Sequence, residues 1–245
     1  MADPNLDLLL AMARALGPLR ERLVFVGGCA TGLLVSNPAA ADVRATEDVD
    51  AIVEVQTLAG YHALRPQLTA RGFKQTMEDN TPPFRWFWQS LQLDLVPLDA
   101  KVLGFANRWY SPGFAAAVER ELAPRVSLRH LTAPYFLATK FEAFNDRGGN
   151  DVYLSHDLED ILTVVDGRAE VVAELADAPA PVRAHVVAQV RMLLHHASFL
   201  NALPGLISQQ ARVGIVVERL QQIVALTTRQ GRAGQTESPP DRQRR

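Results

Sequence analysis

Asp48 and Asp50 stand two residues apart in "RATEDVDAIVEV", residues 44–55, where Val49, Ala51, Val53 and Val55 alternate with Asp48, Asp50, Ile52 and Glu54. In a strand both carboxylates leave the same face, with their Cα atoms about 6.6 Å apart. Carboxylates that close repel, and one tends to keep its proton unless a cation sits between them. Magnesium takes oxygen ligands, usually one or two carboxylates together with substrate phosphates. A third carboxylate on an adjacent strand would complete a two-metal cage. Asp94 is the candidate, because in "LQLDLVP" it faces away from Leu91, Leu93 and Leu95. One aspartate at a strand end can simply face water. A pair that a third acid joins from between leucines needs another reason.

Upstream, "FVGGCATGLL" (25–34) places Gly27 and Gly28 at the end of an apolar run and before a helix start. Glycines there permit a tight turn and let a phosphate approach the backbone, beside N–H groups that favour an anion. The spacing matches neither G-x-x-x-x-G-K-[ST] nor G-x-G-x-x-G.

Periodicity shows what must hold these residues. Leu6, Leu9, Leu10 and Leu16 fall near helical spacing, with Asn5 as a possible cap. "RLVFVGG" reads as a short buried strand, and Asn37-Pro38 ends the helix that follows it. A helix is expected over 57–72, started near Thr57, stopped by Gly72 and interrupted at Pro66. Strand candidates follow at 73–78, 84–89 and 91–96. Phe84, Trp86 and Trp88 would share one face and read as core or interface in preference to a base-stacking platform. No strand pattern follows residue ~130. Segments 134–147, 155–168, 180–200 and 209–229 carry helical spacing instead. The expectation is an α/β (α+β) chain: a small mixed-sheet domain over 1–130, a helical domain over 131–229 and a disordered tail over 230–245. His195 and His196 have no cysteine or clustered acid at metal spacing and read as ordinary helix residues.

Composition excludes more than it assigns. The chain of 245 residues is 48% hydrophobic and 21% charged, with a formal net charge of −2. No global positive field favours nucleic acid or an anionic membrane, although a local patch remains open. Cys29 is the single cysteine, so no disulfide forms within one chain. The start lacks a basic leader pattern, and its longest apolar run, "LLLAMA", is far short of a membrane span. A cytoplasmic location without membrane association is expected.

Val26-Gly27-Gly28, Asp48-Val49-Asp50 and Asp94 together resemble the nucleotidyltransferase superfamily, the DNA polymerase β-like fold. "RATEDVD", and the 19 residues (29–47) between Gly28 and Asp48, resemble its AbiEii-type branch of toxin–antitoxin toxins. "ATKFEAFNDRGGNDVYLSHDLEDI" resembles the later motif of that branch, with Lys140 and Asp157 at the matching positions. The resemblance implies transfer of an NMP group from an NTP to an acceptor hydroxyl, with Mg2+ or Mn2+ as cofactor. It implies metal ligation by Asp48, Asp50 and Asp94, and it places Gly27, Gly28, Lys140 and Asp157 at the nucleotide. Arg44 and Thr46 either touch phosphate or shape their loop. Bland readings stand beside these. Asp157, Glu159 and Asp160 suit the first turn of a helix capped by Ser155. Lys140 could serve in a surface ion pair. A tRNA 3′ end, a protein and a small molecule all remain open as acceptor, and an antitoxin protein is a possible partner. The alternative class is a nucleotide-binding regulatory or interaction protein without catalysis.

Overall fold

Strand β1 (Leu23–Val26) is buried at every residue, as expected of a central strand covered on both faces. The computed structural model describes residues 3–37, 39–40, 43–55, 57–76, 81–146 and 151–230. Within them β1 joins β2 (Asp48–Val53), β3 (Arg85–Trp88), β4 (Leu91–Pro97), β5 (Val118–Ala123) and β6 (Val126–His130). They form one mixed sheet in the order β3-β4-β2-β1-β6-β5. Strand β2 runs antiparallel to β1 and parallel to β4, so β2 lies between the strand that leads into the glycines and the strand that carries the third aspartate.

Helices α1 (Leu6–Leu16), α2 (Thr31–Leu34), α3 (Leu58–His62), α4 (Arg65–Ala70), α5 (Ala100–Leu103) and α6 (Tyr110–Ala115) intersperse with the strands. The rest follow them: α7 (Ala133–Asp146), α8 (His156–Gly167), α9 (Val171–Asp177), α10 (Ala180–His195), α11 (Ala197–Leu206) and α12 (Val213–Gln230). Among the described residues no helix is long and apolar enough to cross a membrane.

Alternate strand residues feed two cores, because successive side chains leave opposite faces. Phe25, Val49, Ala51, Val53, Leu93 and Leu95 pack with Leu9, Met12 and Leu16 of α1 and with Tyr61 and Leu68. Val24, Val26, Ile52 and Val96 pack with Phe136, Phe141, Leu158 and Ile161 of α7 and α8. Each Val, Leu, Ile, Phe or Met side chain among them contributes about 1.5–3 kcal/mol on full burial. Asp48 and Asp50 share the parity of Ile52, and Asp94 that of Val96. The three acids therefore lie on the α7/α8 face.

Several expectations need correction. The 57–72 helix is two short helices. Thr57 caps α3 by accepting from the Gly60 amide at 3.0 Å, and Pro66 sits in the first turn of α4. Proline suits a first turn, where its missing N–H has no partner to lose. The 73–78 strand reduces, in its described part, to one bridge between Lys74 and Phe87. Phe84 does not share the face of Trp86 and Trp88. It precedes β3, where the Arg85 amide bonds back to Pro82 in a turn while the Phe84 carbonyl still accepts from the Leu95 amide at 2.9 Å. Trp86 and Trp88 join the α1-side core, while Phe84 packs on the opposite one. The hairpin of β5 and β6 was not foreseen, because β5 ("VERELA") is mostly exposed and lacks an apolar face. The 180–200 helix is divided at His196, whose extended backbone separates α10 from α11. Helix α9 carries no expectation from the sequence. The expected tail lies outside the described residues from 231 onward, as do Pro38 and positions 77–78.

Candidate metal and nucleotide site

The site begins with strand register. Asp50 pairs with Val26 across β1 and with Asp94 across β4. Asp48 and Asp50 are half-buried and Asp94 is buried. One carboxylate oxygen from each of the three lies within 4.8 Å of the others. These donors are all oxygen, the chemistry of a hard cation such as Mg2+ or Mn2+.

Gly27 explains how Asp50 fits there. Its backbone has φ 73 and ψ −168, a region essentially restricted to glycine. A Cβ at Gly27 would stand 1.9 Å from Asp50 Oδ2. A Cβ at Gly28 would meet Arg44 Nη2 and Thr46 Cγ2, each at 2.9 Å. The room at both glycines is thus taken up by side chains of this chain.

Arg85 lies opposite Asp94 in the β3–β4 pairing. Its Nε and Nη2 donate to Asp94 Oδ1 and Oδ2 at 2.9 and 2.8 Å, a two-pronged ion pair. This bond, foremost, raises the Arg85 pKa, with further help from the charges of Asp48 and Asp50.

Lys140 approaches from α7. Its side chain is buried, and Nζ lies 2.9 Å from Asp157 Oδ1 and 2.6 Å from Asp160 Oδ2. Burial pulls the ammonium pKa down, but Asp160 and Asp157 outweigh it and the net shift is upward. Lys140 therefore keeps its charge. Ser155 caps α8 as expected, accepting from the Leu158 amide at 3.2 Å. Asp157 and Asp160 do more than enrich the first turn, because both reach across to α7.

A cavity of about 580 Å³ joins these groups. Gly27, Asp48, Asp50, Asp94 and Arg85 line the sheet side, and Thr139, Lys140, Glu142 and Asp146 of α7 line the other, with Asp157 beside them. Phe84 and Phe105 meet at 5.0 Å between ring centres on a third wall, together with Tyr110. Asn107 holds that wall, donating to the Thr139 carbonyl at 3.1 Å and accepting from the Trp109 amide at 3.0 Å.

Gly28, Arg44 and Thr46 pack against one another and are not among the residues that line this cavity. Arg44 Nη2 lies 3.6 Å from Asp160 Oδ2. Thr46 Oγ1 donates to the Asp48 carbonyl at 3.0 Å. Asn5, a possible helix cap by sequence, makes no capping bond. It is buried, donates to the Arg44 carbonyl at 2.9 Å and accepts from the Thr46 amide at 2.9 Å. It clamps the loop that leads into β2.

Arg85, Asp160 and Asn5 were missed by sequence reasoning. A signal existed for Arg85: a two-residue turn at Gln89-Ser90 pairs 88 with 91 and hence 85 with 94. Gln89 adopts the positive φ, 53°, that such turns use. No local signal marks Asp160 or Asn5, whose partners lie in other segments.

No family model matches the chain, and no curated protein does. Among solved structures it is similar to an antigenic nucleotidyltransferase-like protein from Paracoccidioides brasiliensis, at 17% identity and a TM-score of 0.48, over 82% of this chain and 94% of that one.

Proposed function

We propose that the protein is a nucleotidyltransferase that moves an NMP group from an NTP to an acceptor hydroxyl. The observation that carries this reading is the meeting of Asp48, Asp50 and Asp94, with oxygens within 4.8 Å of one another, on the wall of a cavity that Lys140 also lines. Two divalent cations held by the three aspartates would supply charge against the triphosphate and make the acceptor hydroxyl easier to deprotonate. Gly27 makes the room that lets Asp50 stand on the cavity wall, and Lys140 keeps a positive charge opposite. Phe84, Phe105 and Tyr110 offer an apolar wall for a base. In the reaction the acceptor oxygen bonds to the α-phosphorus and the α–β bridging bond breaks. Pyrophosphate leaves, and the acceptor proton passes to Asp94 or to water. Positioning and charge supply most of the rate.

An RNA 3′ end, a protein hydroxyl and a small-molecule hydroxyl all suit this chemistry as acceptors. A toxin role with a partner antitoxin rests on the resemblance of "RATEDVD", of the 29–47 spacing and of the later block with Lys140 and Asp157. The test is incubation with each α-labelled NTP, Mg2+ and a whole-cell extract. Label should enter one fraction, and Asp48→Asn with Asp50→Asn should reduce the rate by about 10³-fold or more, the scale of losing preorganised charge stabilisation. Equal labelling by that variant overturns the proposal.

A further inference from the structure

Arg85 takes up one lone pair on each Asp94 oxygen, which leaves a carboxylate of reduced charge to face a cation. The guanidinium takes Oδ1 and Oδ2 at once, at 2.9 and 2.8 Å. It also feels the charges of Asp48 and Asp50, so its position neutralises part of the same triad. Arg85 and a cation therefore compete for the charge of one carboxylate.

Among the described residues that line the cavity, Lys140 and Arg85 are cationic, and they differ in freedom. Lys140 is 8% exposed and is held by two acids from α8. Arg85 is 29% exposed, enters from the sheet side and lines the open cavity. Its planar fork fits a phosphate as well as it fits a carboxylate. A triphosphate lying against the aspartates would bring phosphate oxygens next to it.

Resting on the nucleotidyltransferase reading, we infer that Arg85 is an exchangeable counter-charge. It holds Asp94 until nucleotide arrives, then passes its fork to the phosphates and leaves Asp94 to the cation. Arg85 is thus a positioning residue that couples metal binding to nucleotide binding. A cation alone must bind against the guanidinium charge or displace it, whereas a cation with nucleotide gives the fork a new partner. By linkage the two ligands strengthen each other.

The experiment measures Mn2+ alone by electron paramagnetic resonance, and Mn2+ with a non-hydrolysable NTP analogue by calorimetry. Wild type, Arg85→Gln, Arg85→Lys and Asp48→Asn/Asp50→Asn are compared, with circular dichroism as the check on folding. Arg85→Gln should bind Mn2+ alone about tenfold more tightly, because a competing unit charge a few ångströms away is gone. It should bind the analogue about tenfold more weakly, because a charge-assisted fork to phosphate is lost. Arg85→Lys, which keeps the charge without the fork, should shift both affinities in the same directions but less. A merely structural pair predicts that both affinities fall together or that neither moves, and either result overturns the exchange. If the double aspartate variant binds Mn2+ as wild type does, the metal-centre reading itself fails, and this inference with it.

Discussion

Gly27 shows how much one absent side chain can decide. Its φ of 73 and ψ of −168 suit glycine alone, and the space of its Cβ is held by the Asp50 carboxylate. The residue was chosen from the sequence as room for phosphate, and the structure supplies a nearer need in Asp50. Gly27→Ala should therefore fail twice. Backbone strain should lower stability by about 1–3 kcal/mol, measured by urea denaturation. The displaced Asp50 should also weaken Mn2+ binding, which strain alone would not do. Unchanged Mn2+ affinity in the folded variant would mean that Asp50 is not a ligand. Asp48 and Asp50 were legible as a pair because alternation is a local property of the chain. Arg85 was legible only through hairpin arithmetic, which requires the turn at Gln89-Ser90 to be taken as given.

At the level of elements, helix α8 does the positioning. Asp160 lies one turn from its start and is buried against Lys140 of α7, while Arg44 of the loop before β2 stands 3.6 Å away. Asp157, nearer the cavity, holds the same ammonium. Removing one member of a buried pair costs about 3–5 kcal/mol, because the other is left charged and dry. Asp160→Ala should approach the lower end of that range, since Asp157 still faces Lys140. Asp157→Ala should cost clearly less, since Asp160 remains the closer partner. Thermal and urea unfolding of the two variants measures the difference, and the reverse order would show that Asp157 is the main anchor. The sequence supplied Ser155 as the cap of α8, because capping is local. It could not supply Asp160 as a hub, because Lys140 and Arg44 lie in other segments. Asn5 carries the same lesson, since its side chain serves a loop some 40 residues away.

The whole molecule is held by two cores on opposite faces of one sheet, with few charges inside. One buried pair stands outside the cavity lining: Arg212 Nε donates to both Asp166 oxygens at 2.8 and 2.9 Å and joins the turn before α12 to the end of α8. Another buried polar group, His130 at the end of β6, gives the fold a pH dependence. Burial, foremost, lowers its pKa from 6.5. The unfolded chain then binds more protons than the folded one between the lowered value and about 6.5, so stability is greatest above that range and falls as the pH drops through it. His185 shifts the same way, chiefly through burial and then through the charge of Arg108. The urea midpoint should decline between about pH 7.5 and 5.5. His130→Asn keeps a donor for the Leu131 carbonyl, which Nδ1 reaches at 2.8 Å, and should make that decline shallower. An identical decline in the variant would assign the effect elsewhere.

By itself the sequence determined what repeats over a few residues. The period of two put Asp48 and Asp50 on one face of β2, and the period of 3.6 marked the helices that cover it. The tertiary structure alone decided which distant segments meet. Asp94 stands beside Asp50 because the parallel register of β2 and β4 aligns them across more than forty residues of chain. Lys140 finds Asp160 because α7 and α8 pack in one core. Periodicity is a property of neighbours along the chain, whereas register and docking follow from the burial of every apolar face at once.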